Sequence, residues 1–421
     1  MVPDPLYGAG VPVFCPGQSA LFDLAGGDGH ELGDNPQDLR RLHVLIAADF
    51  AENIMWIWQN PDWPHLVWDD SSLSPLLAQV RHQQGLLLGR MQGLGFELQQ
   101  EASLESLTQE VVKSWFIEGE HLPDDEVRSS IARQLGLEAM GKKQSSRQVE
   151  QVSEVLLDAT RNFDTPVTAE RLFQWQAALF QGLPGKPGET PIGHWRTGER
   201  GPMRVISGPI GRETVHFEAP PAEHVPAEMQ AFLAWFNQEQ PHLDPLIKAG
   251  MAHLWFVTVH PFADGNGRMG RILLDYSLAR SERLAQRYYS LSRQMEQERR
   301  DYYKHLEQQQ RNGLDITPWL HWFLECLGRA LETAQDSTSH ILKKADFWRR
   351  FQEVPLNPRQ RKALQRLLEP DFEGPINSSK YARLCRCSQD TAARDLKQLV
   401  EWGMLSQNPG GGRSTSYRVV L

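Results

Sequence analysis

Apolar residues recur at helical spacing along most of the chain. Leu76, Leu77, Val80 and Leu86 to Leu88 make one side of a helix that opens the stretch from Leu73 to about Ile131. Leu104, Leu107, Val111 and Trp115, three and four positions apart, carry a long helix to Ile117, and Gly119 is suited to end it. Helical texture continues from Ser145 to Leu183. The pattern then changes: Arg204 to Ser207 and Val215 to Phe217, β-branched and bounded by glycines, predict a hairpin. Ala249 to Val259 is almost wholly apolar and reads as a buried helix that delivers His260 and stops at Pro261. A second helix, Arg268 to Arg280, has Ile272, Leu273, Leu274, Tyr276 and Leu278 as its apolar side. Trp319 to Thr333 is apolar on most sides, as core packing requires. Near the end, Asn357-Pro358 opens a helix through Leu368, followed by Ser378 to Arg386 and by Ser388 to Met404, with Ala392, Leu396 and Leu399 inward and Arg394 and Lys397 outward. Residues flanking Gly410 to Arg413 fit two short strands. The expected fold is therefore mainly α.

Length divides this pattern. A chain of 421 residues exceeds a typical single core. Residues 1–54, rich in Gly, Pro and Asp, are expected to be a disordered extension, and Met55 is a candidate start of the folded chain. Residues 55–140 read as an N-terminal helical region, 141–340 as the core and 343–421 as a small tail domain. The indoles of Trp56, Trp58, Trp63 and Trp68 read as core packing rather than a binding cage. The net charge of −9 hides an asymmetry: residues 343–421 carry 15 Lys+Arg against 8 Asp+Glu, and the remainder 29 against 45. A basic tail on an acidic body suggests separate tasks. No stretch has the length of a membrane span, the N-terminus lacks the pattern of a signal peptide, and four cysteines form neither a disulfide framework nor a zinc spacing. A cytoplasmic protein with no membrane partner is expected.

The candidate chemistry lies in residues 260–271, His-Pro-Phe-Ala-Asp-Gly-Asn-Gly-Arg-Met-Gly-Arg. His260 can take a proton at neutral pH. Asp264 is a hard oxygen ligand suited to Mg²⁺ carried by a polyphosphate. Gly265 and Gly267 let backbone approach phosphate oxygens at a helix N-terminus, and Arg268 and Arg271 offer planar forks for them. This string resembles the signature of the Fic family (Fic/Doc, Fido domain), H-x-F-x-[DE]-G-N-G-R-x-x-R, at every specified position.

The resemblance implies a Fic-type helical bundle with a β-hairpin flap, acting as a protein adenylyltransferase. ATP and Mg²⁺ would be bound by Gly265, Asn266, Gly267, Arg268, Met269, Gly270 and Arg271, with the metal on Asp264. His260 would deprotonate a Ser, Thr or Tyr hydroxyl of a target protein, which includes the chain itself. Gly267-Arg268, without a lysine near the second glycine, argues against the phosphorylating members. Ser114-Trp115-Phe116-Ile117-Glu118-Gly119 resembles the family's inhibitory motif [ST]-x-x-x-E-[GN]. Glu118 paired with Arg271 would then hold the enzyme off. An intact glutamate also leaves open an AMP-removing activity. The segment Arg204, Val205, Ile206 and Ser207 resembles the flap that clamps a target by strand addition. Tyr302 and Tyr303 match a pair near the adenine, although tyrosines at this spacing also suit a core. Helix, helix, helix and basic hairpin form the winged-helix pattern, in which Arg394, Lys397 and Arg413 are candidate DNA contacts. A protein-docking role for that domain, a nucleotide-sensing transcriptional regulator and a homodimer remain open alternatives.

Overall fold

In a computed structural model, residues 55–137, 143–180, 192–209, 212–368, 372, 374–409 and 415–420 are described. They divide into two compact units, one holding the described residues up to 85 with 103–332, the other 86–102 with 333 onward. The extension expected at residues 1–54, the glycine-rich turn at 410–413 and Arg413 lie outside the described residues. Among the described residues, no helix is long and apolar enough to cross a membrane.

The fold is mainly helical. Its order is α1 (Asp70–Gln92), α2 (Phe96–Ile117), α3 (Asp124–Gln134), α4 (Arg147–Arg161), α5 (Ala169–Leu179), β1 (Arg204–Ser207), β2 (Thr214–Glu218), α6 (Val225–Asn237), α7 (Pro245–Val259), α8 (Asn266–Glu282), α9 (Leu291–Gln297), α10 (Arg299–Arg311), α11 (Thr317–Arg350), α12 (Pro358–Leu367), α13 (Ser378–Cys385), α14 (Gln389–Glu401), β3 (Leu405–Gln407) and β4 (Tyr417–Val419). Helix α11 extends well beyond the Trp319 to Thr333 stretch predicted for it, because Phe347 and the following Phe351 join the core of the second unit.

In the first unit, α7 and α8 form the central pair, with α4 against α8 and α6 against α7. Helix α7 starts where Asp244 Oδ1 accepts the backbone N–H of Leu246 and Pro245 occupies the first turn. Arg81 holds that cap, with its guanidinium 2.7 Å from Asp244 Oδ1. Gly250 permits close approach to α11: a Cβ there would lie 2.9 Å from both Leu320 Cδ2 and Phe323 Cδ1. Its carbonyl accepts Trp319 Nε1–H at 2.8 Å. The N-terminal indoles secure the hairpin. Trp56 stands edge-on to Phe217 with ring centroids 5.4 Å apart, and Trp58 Nε1 donates to Glu218 O at 2.7 Å. Trp56 is buried in this core, whereas Trp58, Trp63 and Trp68 are half-buried and each donates its indole N–H, to Glu218 O, Glu228 and Asp70.

In the second unit, Ala363, Leu364, Ile376, Tyr381, Ala392, Leu396, Leu399 and Met404 make a core beneath α12 to α14. Strands β3 and β4 pair antiparallel, and Ile376 bridges Tyr417. Buried Asp395 joins all three helices, accepting from Asn357 Nδ2 at 3.1 Å, Arg359 Nε at 2.9 Å and Tyr381 Oη at 3.0 Å. Burial opposes its ionisation, but these donors prevail and hold its pKa below the usual Asp value. Its stabilisation is therefore present above the ordinary Asp range and lost as pH falls through the lower folded value. Asp395→Ala orphans the buried Tyr381 hydroxyl and is expected to cost about 2 kcal/mol. Amide hydrogen exchange in α12 to α14 should then speed by about 30-fold if it proceeds through opening of this unit.

Candidate active site

The buried helix α7 ends at His260, whose backbone turns into the left-handed region (φ 50°, ψ 57°) while its N–H still donates to Phe256 O. That conformation strains a non-glycine residue and needs external support. Arg196 supplies it. Its guanidinium donates to His260 O at 2.7 Å, Val259 O at 3.2 Å and Pro220 O at 2.5 Å, and its backbone N–H donates to Pro261 O at 2.9 Å. The side chain is buried, which lowers its pKa to about 10 and leaves it protonated at neutral pH. The sequence carries Arg196 without any periodic signal for this role.

His260 Nδ1 lies 3.2 Å from Val257 O, so Nδ1 bears the proton of the neutral ring and Nε2 keeps its lone pair. Burial pushes the imidazole pKa down to about 4, with the Arg196 charge adding to the effect and the Val257 carbonyl and Glu118 opposing it. The ring is thus a neutral, unprotonated base at pH 7.

The loop after His260 is closed by Asn266. Its Oδ1 accepts Phe262 N–H at 2.9 Å and its Nδ2 donates to Phe262 O at 2.8 Å, so the side chain braces the turn. Phe262 is fully buried against Trp195, 5.1 Å between centroids. Gly265 sits at φ 83°, and a Cβ there would lie 2.9 Å from Phe180 Cε2. Helix α8 begins directly after it, at Asn266 rather than at Arg268. Asp264 Oδ1 accepts Gly265 N–H at 2.6 Å and lies 3.8 Å from Arg268. Its pKa is raised by burial, against the pull of Arg268.

A cavity of about 400 Å³ opens over this helix start. Its lining includes His260, Asp264, Gly265, Asn266, Gly267, Glu118, Val205, Ser207, Tyr302 and Tyr303. Met269 and Gly270, predicted to bind nucleotide, are absent from that lining. Met269 is fully buried and its N–H donates to Gly265 O within α8. Gly270 lets α8 seat on α7, where a Cβ would stand 3.0 Å from Val257 Cγ1 and 3.1 Å from His253 Cε1. Both positions thus serve the packing of α8 on its neighbours. The Tyr302 hydroxyl is also engaged, 2.9 Å from Nε2 of the fully buried His253. Tyr303 lies beside it, centroids 5.1 Å apart.

Both arginines of the loop are buried and held from α2 and the turn after it. Arg271 Nε donates to Ser114 Oγ at 2.8 Å, and its Nη2 donates to Ser114 O at 2.9 Å and to Glu118 Oε1 at 2.7 Å. Gly119, at φ 83°, turns the chain directly after Glu118. Burial alone would raise the Glu118 pKa, but Arg271 and then Arg268 outweigh it and hold the carboxyl below its usual range. Arg268 donates to Glu120 Oε2 at 3.0 Å and lies over the Phe180 and Trp115 rings. Glu118 therefore covers Arg271 on the cavity side, and a Cβ at Gly267 would collide with its carboxylate.

Residues 166–278 match the model of the Fic/DOC family. The chain carries a Fic/DOC family domain. Residues 56–137, the part that supplies Glu118 to the Fic/DOC loop, match a domain of unknown function (DUF4172). A protein adenylyltransferase Fic from Culex quinquefasciatus is 36% identical over 114 residues, covering 27% of this chain and 21% of that relative. One of the same name from Nematostella vectensis is 34% identical over 124 residues, or 28% of this chain and 27% of the relative. The match thus spans about a quarter of these curated relatives. A Fic family protein from Desulfovibrio desulfuricans G20 has a similar fold, with a TM-score of 0.50 at 22% identity, covering 83% of this chain and 96% of that structure.

The hairpin stands beside the Fic/DOC loop. Arg204 pairs with Glu218, Val205 with Phe217, Ile206 with Val215 and Ser207 with Thr214, with an irregularity between Val205 and Ile206. Val205 and Ser207 line the cavity, whereas Arg204 is held by Glu218 at 2.7 Å. In the second unit Arg394 and Lys397 are exposed, and Lys397 lies 3.9 Å from Glu401.

Proposed function

We propose that this chain transfers AMP from ATP to a Ser, Thr or Tyr hydroxyl of a target protein, and that Glu118 restrains the transfer. The observation that carries the reading is a neutral His260, with Nε2 free to accept a proton, lining the same cavity as the glycine-rich start of α8. Backbone N–H groups at that helix start, with the dipole behind them, favour the phosphates. His260 accepts the hydroxyl proton, the hydroxyl oxygen bonds to the α-phosphorus, and pyrophosphate leaves. Arg271, once released by Glu118, supplies a fork for the γ-phosphate.

Asp264 suits Mg²⁺ brought by the nucleotide, which keeps several of its own waters and needs only one or two carboxylates. Among the described residues there is no cluster of three or more metal-ligating side chains. Such an ion would neutralise phosphate charge. The flap residues Arg204 to Ser207 offer backbone to a target segment in extended form.

Glu118 lines the cavity as well, which favours a second reading in which it orients a water for AMP removal. Incubating the protein and a cell extract with α-labelled or γ-labelled ATP tests the first reading. Label from the α position alone supports it. Label from the γ position would mean phosphorylation, and release of AMP from a labelled protein without transfer would favour removal.

Arg196→Met keeps most of the bulk but removes the bonds that hold His260 in its strained turn. Misplacing a catalytic group by 1 Å can cost about 100-fold. The expected result is a fall in kcat of roughly 10- to 100-fold with KM for ATP changed much less, measured by steady-state transfer.

For the second unit we retain the winged-helix reading, supported by three helices followed by a two-stranded ribbon. Exposed Arg394 and Lys397 on α14 are its candidate DNA contacts. A salt-dependent shift of duplex DNA by the protein would support that role.

A further inference from the structure

The flap contains a hydrogen-bonded relay that the reaction above does not use. Ser207 Oγ lies 2.6 Å from His216 Nε2, and His216 Nδ1 lies 2.8 Å from Glu307 Oε2 on α10. Arg311 holds the other carboxylate oxygen of Glu307 at 3.0 Å and donates to Val215 O at 2.8 Å. A carboxylate only accepts, so in the neutral ring Nδ1–H points to Glu307 and Nε2 accepts the Ser207 hydroxyl proton. This is the arrangement that activates a serine: nucleophile, base and a third group orienting the base. Ser207, His216 and Glu307 all line the cavity that holds His260, Gly265 and Gly267.

We propose that Ser207 is an intramolecular AMP acceptor, with His216, oriented by Glu307, as its dedicated base. The inference rests on the adenylyl-transfer reading of this cavity. Ser207 Oγ forms a bond to the α-phosphorus of ATP as the bond from that phosphorus to the bridging oxygen breaks. Pyrophosphate leaves with the electron pair, and the serine proton passes to His216 Nε2, whose positive charge Glu307 balances. The product is a phosphodiester on the flap itself, at the mouth a target segment would use. Because acceptor and loop line one cavity of one chain, the rate is independent of protein concentration.

Trypsin provides a direct test. Cleavage after Arg204 and Arg212 releases Val-Ile-Ser-Gly-Pro-Ile-Gly-Arg, in which Ser207 is the sole hydroxyl. The Glu118→Gly protein is incubated with ATP and Mg²⁺ and its peptides are mapped by mass spectrometry, beside Glu118→Gly/His216→Phe and Glu118→Gly/His260→Ala. AMP is expected on the 205–212 peptide, at the same fractional rate after 100-fold dilution of the protein. His216→Phe should reduce it by about 100-fold or more, as loss of a general base does, and His260→Ala far less. AMP confined to other peptides or to added extract proteins would overturn the inference while leaving adenylyl transfer standing. A rate that falls in proportion to dilution would overturn the intramolecular step. AMP on neither the chain nor the extract would overturn both readings together. Mapping of Glu118→Gly alone decides the acceptor, so the test survives a His216→Phe protein that folds poorly.

Discussion

His260→Ala is expected to lower AMP transfer to the proteins of a cell extract by roughly 100- to 10,000-fold, the range typical of a lost general base. The size follows from the state in which the fold keeps this ring. Burial holds its pKa at about 4, so at neutral pH essentially every molecule carries the neutral form. The Val257 carbonyl fixes the proton on Nδ1 and leaves Nε2 as the acceptor. The same feature sets the pH profile. A histidine with an ordinary pKa would lose activity as pH falls through about 6.5. Here the acid limb due to His260 is expected near 4, provided the protein remains folded, and activity between pH 8 and 6 should owe no loss to this group. His260→Asn removes the base and retains a polar side chain of similar size, and should share the defect.

Glu118→Gly should act in the opposite direction, raising transfer by about 10- to 100-fold. A hydrogen bond between charged groups contributes about 1.5–3 kcal/mol, and each 1.4 kcal/mol is tenfold. Glu118 engages Arg271 at 2.7 Å, and its removal leaves the guanidinium anchored by both Ser114 contacts, with Nη1 unpaired. Arg271 is thereby presented rather than set loose. The Glu118 carboxyl is held below its usual range by Arg271, so the restraint persists through neutral pH and weakens only in the acid range where His260 also gains its proton. KM for ATP is the parameter expected to fall, measured with the target concentration held fixed.

Much of this site is contiguous in the chain, and for that reason it was legible. An apolar helix, a proline, two glycines and a second helix predict where His260 must sit, and the structure places it at that junction. Glu118 and Arg271 are 153 positions apart, and their contact is what the resemblance to the family's inhibitory motif implies when it is read together with the loop. Tertiary contacts that no motif marks are not legible in the sequence. Arg196 is one charged residue in an irregular segment, and only the folded chain brings it to the His260, Val259 and Pro220 carbonyls. His216 and Glu307 lie on a strand and a helix 91 positions apart, so neither has a local pattern to mark it. Motif position also does not show the structural work of the loop: Asn266 engages the Phe262 backbone with its amide, while Met269 and Gly270 pack between helices. The length of α11 is not visible in the sequence pattern because Phe347 and Trp348, near its end, serve a different core from Trp319 to Thr333.

Adenylyl transfer in this proposal is carried by the His260 loop and restrained by Glu118. Its most direct test is the transfer of label from α-labelled ATP to extract proteins by three forms side by side: the unaltered chain, Glu118→Gly, and Glu118→Gly/His260→Ala. Weak labelling is expected from the first, labelling about 10- to 100-fold stronger from the second, and loss of that gain in the third. Equal labelling by the first two would contradict the restraint, and labelling by the third as strong as by the second would contradict the role of His260.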